Sequence, residues 1–285
     1  IQANVEIGVS NLEQLDRVAE AAQQLSRVAK IHLKVDTGLS RNGATMAEWG
    51  LLVQGACDLV AQNTVQVIGV FSHLSSTSEA DDRAQIAVFD QAVQQAREAG
   101  LEFELRHLTA SDGTISYPNL GYEMVRIGVG LYGLSPFAGH SGGEYGLKPA
   151  MRATSVVVQT KEVEAGVGVS YGYLYKTEAP TTLALIPVGY AEGLPRNASD
   201  RGGAVVEVSI NGKRYPVLSR IAMDQFVVDV GDDEVAVGDQ VILFGDAADG
   251  VSTADDWAIA ASTINYEIVT RMGGRFIRKY LGSVE

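Results

Sequence analysis

With only one cysteine, Cys57, the chain can form no internal disulfide. Its neighbours Leu51, Leu52, Val53 and Leu59 make that cysteine a small apolar residue rather than a nucleophile or ligand. Such scarcity suits a reducing compartment, and a cytoplasmic location is expected. Long apolar runs are also lacking: Leu183 to Val188 falls far short of the roughly 20 residues a bilayer span needs. No basic-then-apolar signal segment opens the sequence. Positive charge is in deficit, 22 Lys plus Arg against 35 Asp plus Glu for a net charge of -13, which repels phosphate backbones and anionic lipids. Neither nucleic acid nor membrane is therefore expected as a partner. No two of the 4 His residues are spaced like a metal site. His73 and His107 fall at strand ends, His32 within a strand and His140 in a Gly-rich loop, so no metal is expected and each reads singly as structural. The glycines of Arg126-Ile-Gly128-Val-Gly130-Leu-Tyr-Gly133 stand at the wrong intervals for a dinucleotide fingerprint, though they permit close approach of backbone to an anion.

What is present is a change of period. Up to about residue 147, β-rich runs at Val5 to Val9, Ile31 to Val35, Val65 to Phe71, Phe103 to Leu108 and Met124 to Val129 alternate with helical patterns. Leu12, Leu15, Val18, Ala22 and Leu25 form one helical face, and Ala84, Ala87, Phe89, Ala92 and Ala96 another. After Lys148 the period falls to two, with strands expected at Ser155 to Lys161, Thr182 to Ile186, Val205 to Ile210, Arg214 to Val217, Phe226 to Val230 and Gln240 to Phe244. Asn211-Gly212 is a hairpin signal, and a helix is expected over Ala254 to Ser262. The reading is a β/α domain over 1–147 and a mostly β domain over 148–285. Five strands fall short of the eight of a closed β/α barrel, and an open doubly wound sheet fits the pattern equally.

Taken singly, the chemistry-bearing residues are ambiguous. If the first domain is a barrel, Ser111 follows its seventh strand and Gly128 ends its eighth, where such barrels seat a phosphate. Arg126 then sits at a strand mouth with a guanidinium that cannot give up its proton, unless it merely closes a strand-end salt bridge. Tyr171 reads as a half-buried strand aromatic, or as a base if nearby positive charge lowers the phenol from about 10.

Seven segments decide among these readings. They are Lys34-Val-Asp-Thr-Gly-Leu-Ser-Arg41-Asn-Gly, Phe-Ser-His73-Leu, Met-Val-Arg126-Ile-Gly-Val-Gly-Leu-Tyr-Gly, Val-Ser-Tyr171-Gly, Pro-Val-Gly-Tyr190-Ala-Glu-Gly, Ala-Met223-Asp224-Gln and Ile-Asn-Tyr266-Glu. In this order, over nearly the whole chain, they resemble the signatures of the alanine racemase family. The resemblance implies an α/β fold: part of an eight-stranded TIM-type β/α barrel followed by a mostly β C-terminal domain. It implies pyridoxal 5'-phosphate as cofactor, alanine as substrate, L- to D-alanine interconversion by a two-base mechanism, and a homodimer sharing its active site. It makes Tyr171 one base, reaching the partner subunit's cofactor. Arg126 becomes the partner of the pyridine nitrogen, keeping the ring unprotonated and a weaker electron sink. His73 becomes the brace of that arginine. Ser111, the backbone of Gly128 and Val129, and the Tyr266 hydroxyl become the phosphate cradle. Arg41 lies near the cofactor's phenolic oxygen and the substrate carboxylate, Lys34 is a candidate for carbamylation, Met223 contacts the substrate carboxylate with Asp224 beside it, and Tyr190 narrows the entrance. A role in supplying D-alanine as a peptidoglycan precursor follows from the same resemblance.

The departures are equally specific. No Lys-Ala-Asn-Ala-Tyr-Gly type motif occurs, and none of Lys30, Lys34, Lys148, Lys161, Lys176, Lys213 and Lys279 has that context. The expectation is that the cofactor lysine, which is also the second base, lies with the first three β/α units outside this sequence. Racemisation needs a proton acceptor on each face of the α-carbon, so this chain alone keeps one. Ala222 and Ala110 stand where cysteine and asparagine are common in the family. The competing readings are a non-catalytic remnant that binds a phosphate ligand or a partner, and a racemase for serine or a broader set of amino acids.

Overall fold

The computed structural model describes residues 1–199 and 205–282, in two compact units, Ile1–Gly128 and Val129–Glu285. In the first unit, β1 (Ile7–Val9), β2 (Ala29–Lys34), β3 (Val65–Phe71) and β4 (Leu105–His107) form a parallel sheet in the order β1-β2-β3-β4. The helices α1 (Leu12–Gln24), α2 (Met46–Ala61) and α3 (Glu79–Glu98) make the crossovers. Each strand neighbours the one before it, with none of the reversal that defines a doubly wound sheet; this is the wall of a β/α barrel. Local chemistry sets the helix starts. Asn11, Thr45 and Ser78 each accept a backbone N–H in the first turn, and Thr45 with Glu48 closes a capping box. The helices then bury Leu15, Ala19 and Ala22, Trp49, Leu52 and Val53, and Phe89, Ala92 and Val93 against the sheet. The Trp49 indole donates to the Ala92 carbonyl (2.9 Å), joining α2 to α3.

Met124 to Val129 departs from the expected strand. Among the described residues two backbone bonds tie it to the β4 region, Met124 N–H to Arg106 O and Arg126 N–H to Thr109 O. At 3 residues, β4 offers too short an edge for a ladder before the chain turns into α4 (Ser111–Ser116).

The second unit opens with two 3-10 turns, Val129–Tyr132 and Gly142–Tyr145, so the two-residue period begins only after them. Its strands are β5 (Ala153–Val156), β6 (Gln159–Val163), β7 (Gly168–Val169), β8 (Tyr175–Lys176), β9 (Thr181–Ile186), β10 (Glu207–Ile210), β11 (Lys213–Leu218), β12 (Phe226–Gly231) and β13 (Gln240–Phe244). Seven form an antiparallel sheet in the order β5-β13-β10-β11-β12-β9-β6, and β7 pairs with β8. Here the single strand expected over Ser155 to Lys161 divides. Val157 N–H bonds Asp239 O on one side, Val158 N–H bonds Leu185 O on the other, and the chain passes from one edge of the sheet to the opposite edge, which curls it. Asn211 and Gly212, at φ 50° and 79°, make the two-residue hairpin that sets Ile210 opposite Lys213. Two helices, α5 (Ala254–Ala261) and α6 (Asn265–Arg271), cover the sheet. Trp257 on α5 is fully buried, and its indole donates to Leu243 O (2.7 Å). Among the described residues no helix is long and apolar enough to cross a membrane.

Thr45→Ala removes the hydroxyl half of the capping box, the acceptor for Glu48 N–H, and leaves the N–H of residue 45 bonded to Glu48. It should cost about 1 kcal/mol, read as faster hydrogen exchange in the first turn of α2 while β3 amides stay protected.

Candidate active site

Parallel strands gather their C-terminal ends, and in the first unit those ends carry the chemistry. Lys34 ends β2, Phe71 ends β3 with His73 two residues on, and His107 ends β4. The Phe71 ring stacks on His107 (4.7 Å between centroids, 13° between planes), with Lys34 Nζ 5.4 Å and the Arg126 guanidinium 5.6 Å from its centroid. The loop after β2 folds back through paired bonds between Lys34 to Asp36 and Ala44, and Asp36 Oδ1 accepts from Gly38 and Ser40 N–H. Gly43, at φ 111°, is required there, since a Cβ would lie 2.8 Å from Asp36 N. This braced loop presents Arg41, exposed, with its charge reaching Lys34, His73 and Arg126.

Arg126 is the most heavily bonded of these groups. Nη1 donates to His107 Nδ1 (2.8 Å) and His107 O (3.1 Å). Nη2 donates to Ser72 O (2.7 Å), His73 Nδ1 (3.0 Å) and Leu108 O (3.1 Å). Only the Nε–H has no acceptor among the described residues. Burial, then Arg126 and Arg41, holds His73 below the usual histidine range, so its Nδ1 stays free to accept. His107 is pushed down to about 3 by burial, then by Arg126 and His32. Burial, followed by Arg41 and Arg126, lowers Lys34 as well, and its ammonium donates to Asn42 Oδ1. At the start of α4, buried Ser111 accepts the Gly128 N–H at its hydroxyl (3.2 Å).

The second unit assembles its own group. Tyr171 sits 68% exposed on a turn whose neighbours Ser170, Gly172 and Tyr173 all have positive φ. Ser170 Oγ donates to Arg220 O (2.9 Å) and Ser219 Oγ to Tyr171 O (3.4 Å), fixing the turn on the 219–220 backbone. The same strand exit continues to Met223 and Asp224, where Tyr190 N–H bonds Ala222 O and Ala191 N–H bonds Met223 O. Gly189 permits this approach, as a Cβ would lie 2.2 Å from Met223 O. One segment, 219–224, therefore holds Tyr171, Tyr190, Met223 and Asp224 together. Buried Glu192 locks it: one carboxylate oxygen accepts from Gly189 N–H (2.9 Å), the other from Arg275 Nε (2.7 Å), and Arg275 Nη2 donates to Pro187 O and Asp224 O. Tyr266, second residue of α6, packs its ring against Tyr132 (5.8 Å).

Sequence reasoning missed His107, His32, Glu192 and Arg275. His107 had the signal of a histidine at a strand end, as His73 did, but its partners are set by tertiary packing. Glu192 was visible inside the Pro-Val-Gly-Tyr-Ala-Glu-Gly segment, while Arg275 carried no signal at all. Among the described residues no group of His, Cys, Asp and Glu could hold a metal ion.

The first unit is thus a β/α barrel wall with Lys34, Arg41 and Arg126 gathered at its strand ends, and the second an antiparallel unit that bears an exposed tyrosine. Comparison with known proteins gives the family. The family model for the alanine racemase N-terminal domain matches residues 1–136 and that for the alanine racemase C-terminal domain matches 150–280. Alanine racemase of Salinispora arenicola is 46% identical over 286 residues, covering 99% of this chain and 75% of that protein. That of Thermobifida fusca is 43% identical, covering 100% and 75%. The crystal structure of alanine racemase from D-cycloserine-producing Streptomyces lavendulae superposes with a TM-score of 0.95 at 44% identity, over 100% of this chain and 74% of that one. A Bartonella henselae alanine racemase with covalently bound pyridoxal phosphate has a TM-score of 0.82 at 25% identity, covering 98% and 74%. The chain belongs to the alanine racemase family, isomerases acting on an amino acid.

Two outcomes follow. Because His107 titrates near 3 when folded and near 6.5 when unfolded, only the unfolded state takes up its proton between those values. The stability it supports is complete above about pH 6.5 and declines as pH falls towards 3. In His107→Gln, the dependence of unfolding midpoint on pH across that window should flatten. Glu192→Ala leaves the Gly189 N–H and Arg275 without their acceptor and should destabilise the second unit by about 1–3 kcal/mol in denaturant titration.

Proposed function

We propose that the chain carries the tyrosine side of a two-base, pyridoxal-phosphate-dependent interconversion of L- and D-alanine. The observation that carries this reading is the commitment of both Arg126 terminal nitrogens to carbonyls and histidines, which leaves one fixed donor, Nε–H. A pyridine nitrogen is a single acceptor and fits that donor. Ser111 at the α4 start, the backbone of Gly128 and Val129, and the Tyr266 hydroxyl would hold the phosphate. When bound, the cofactor's ring withdraws electrons and acidifies the α-C–H of an attached amino acid. Arg126 donates to the ring nitrogen without ever protonating it, because a guanidinium keeps its proton. His73, kept neutral by burial, accepts from Arg126 and maintains its aim. Arg41 and Met223 take the substrate carboxylate, with Asp224 beside them, and Tyr190 restricts the side chain to about a methyl group.

Tyr171 takes up or returns the proton on one face of the α-carbon, acting from one protomer of a homodimer on its partner's cofactor. The other face belongs to a lysine in a motif that none of this chain's lysines has. Burial and two arginines lower Lys34, which favours its neutral amine; addition of carbon dioxide with loss of a proton would give a carbamate held between Arg41 and Asn42. D-Alanine supply for peptidoglycan in the cytoplasm completes this reading.

In Tyr171→Phe holoenzyme, solvent-deuterium exchange at the α-carbon of one alanine enantiomer should fall by at least about a hundredfold, while exchange on the other persists. Equal loss for both would contradict the one-face assignment. Carbon-13 NMR in labelled bicarbonate should show a carbamate signal that Lys34→Ala removes.

A further inference from the structure

Arg126 has a consequence that spreads through the sheet behind it. A guanidinium only donates, so His107 Nδ1 must accept at 2.8 Å, and a neutral His107 then carries its proton on Nε2. That Nε2 lies 3.0 Å from His32 Nδ1, which is thereby forced to accept, leaving His32 to donate from its own Nε2. The group at 2.8 Å from His32 Nε2 is the Glu6 carboxylate, which only accepts. Donor and acceptor alternate without a conflict from Arg126 to Glu6, through residues that lie on four separate segments of the first unit.

The sequence makes room for this contact. A register shift between Ile31 and His32 in the β2–β3 pairing brings His32 opposite Gly69. A Cβ on Gly69 would lie 2.8 Å from His32 Nδ1 and 2.6 Å from Leu105 O, so only glycine admits the histidine pair. Phe71 seals it, stacked on His107 and edge-on to His32 (6.4 Å, 83°). His32 and His107 are buried, 7% and 4% exposed, while the Glu6 side chain keeps 42% exposure, so the chain of bonds ends at a hydrated carboxylate.

We propose that Glu6 and His32 are positioning residues, which act through His107 as a one-way hydrogen-bond relay that fixes the orientation of Arg126 and so the donor it presents to the cofactor's ring nitrogen. This rests on the reading of Arg126 given above, and deepens it. Glu6 and the His107 Nε2–H select the Nε2–H form of His32 from its two sides, and without Glu6 only the His107 contact remains to do so. If His32 reverses, its Nδ1–H opposes the Nε2–H of His107, and His107 can remain matched to its neighbour only by turning an N–H against the guanidinium. Removing a carboxylate near the surface would thus loosen an arginine that lies two histidines along the chain of bonds.

Nitrogen-15 histidine NMR of the protein without cofactor tests the relay directly. His107 and His32 should both be protonated on Nε2 and bare on Nδ1; a Nδ1–H on either overturns the proposal. Glu6→Ala should mix the His32 tautomers, shift the absorbance band of the pyridoxal-phosphate holoenzyme, and lower kcat about fivefold at unchanged KM, the equivalent of one ordinary hydrogen bond. Glu6→Gln, which retains an acceptor oxygen, should recover most of this. A Glu6→Ala protein that changes only in melting temperature, with tautomers, band and kcat as before, makes Glu6 merely structural and overturns the relay. The Arg126→Lys holoenzyme separates the two levels. An absorbance band that responds to Arg126→Lys but not to Glu6→Ala overturns the relay alone, whereas a band indifferent to both overturns the placement of the ring nitrogen on Arg126 and the relay with it.

Discussion

A guanidinium that can give hydrogen bonds but never take one is the constraint around which the first unit is organised. Arg126 sits at the end of a stretch too weakly paired to hold itself in place, and its order comes from its own side chain. Five contacts reach carbonyls at Ser72, His107 and Leu108 and ring nitrogens of His73 and His107, so the side chain stitches the ends of β3 and β4 together. Every histidine beside it must then present a lone pair. Burial helps, because a buried imidazole resists the second proton that would break the pattern.

The second unit solves a similar problem with backbone rather than charge. Tyr171, Tyr190 and Met223 are exposed, and exposed side chains on loops lack the packing that fixes a core residue. Here the loops are fixed instead by the single segment 219–224, whose carbonyls accept from both tyrosine-bearing turns, and by Arg275 and Glu192 bridging its far end. Close approach of two backbones needs a residue without a side chain, and Gly189 supplies it. The glycine in Pro-Val-Gly-Tyr-Ala-Glu-Gly is thus explained by geometry before any appeal to family.

Much of this was legible in the sequence wherever a local rule has a local cause. The helical faces of α1 and α3 and the Asn211-Gly212 hairpin follow from residues within a turn or two of each other, as do the caps at Asn11, Thr45 and Ser78 that the structure adds. Where the cause is remote, the pattern misled. Met124 to Val129 has the composition of a strand, but pairing depends on the length of β4. Ser155 to Lys161 reads as one strand because its period is unbroken, yet Val157 and Val158 bond to opposite edges of the sheet. Strand counting also left barrel and open sheet equal, and only strand order, a tertiary property, separates them. At the site, His73 came from a motif, whereas His32 and His107 are 75 residues apart in sequence and 3.0 Å apart in space.

The charge balance adds a last step. A chain with a net charge of -13 repels small anions over most of its surface. Lys34, Arg41 and Arg126 nevertheless stand within electrostatic reach of one another, and none of the three makes an ion pair among the described residues. Burial is the main cause that lowers Lys34 and Arg126, with repulsion from Arg41 next in each, and Asp36 opposes the lowering at Lys34. An anion entering the mouth relieves the repulsion among these cations. The net negative charge of the chain and the cations gathered at the strand ends therefore act in the same direction, disfavouring anions in general and favouring one at that mouth.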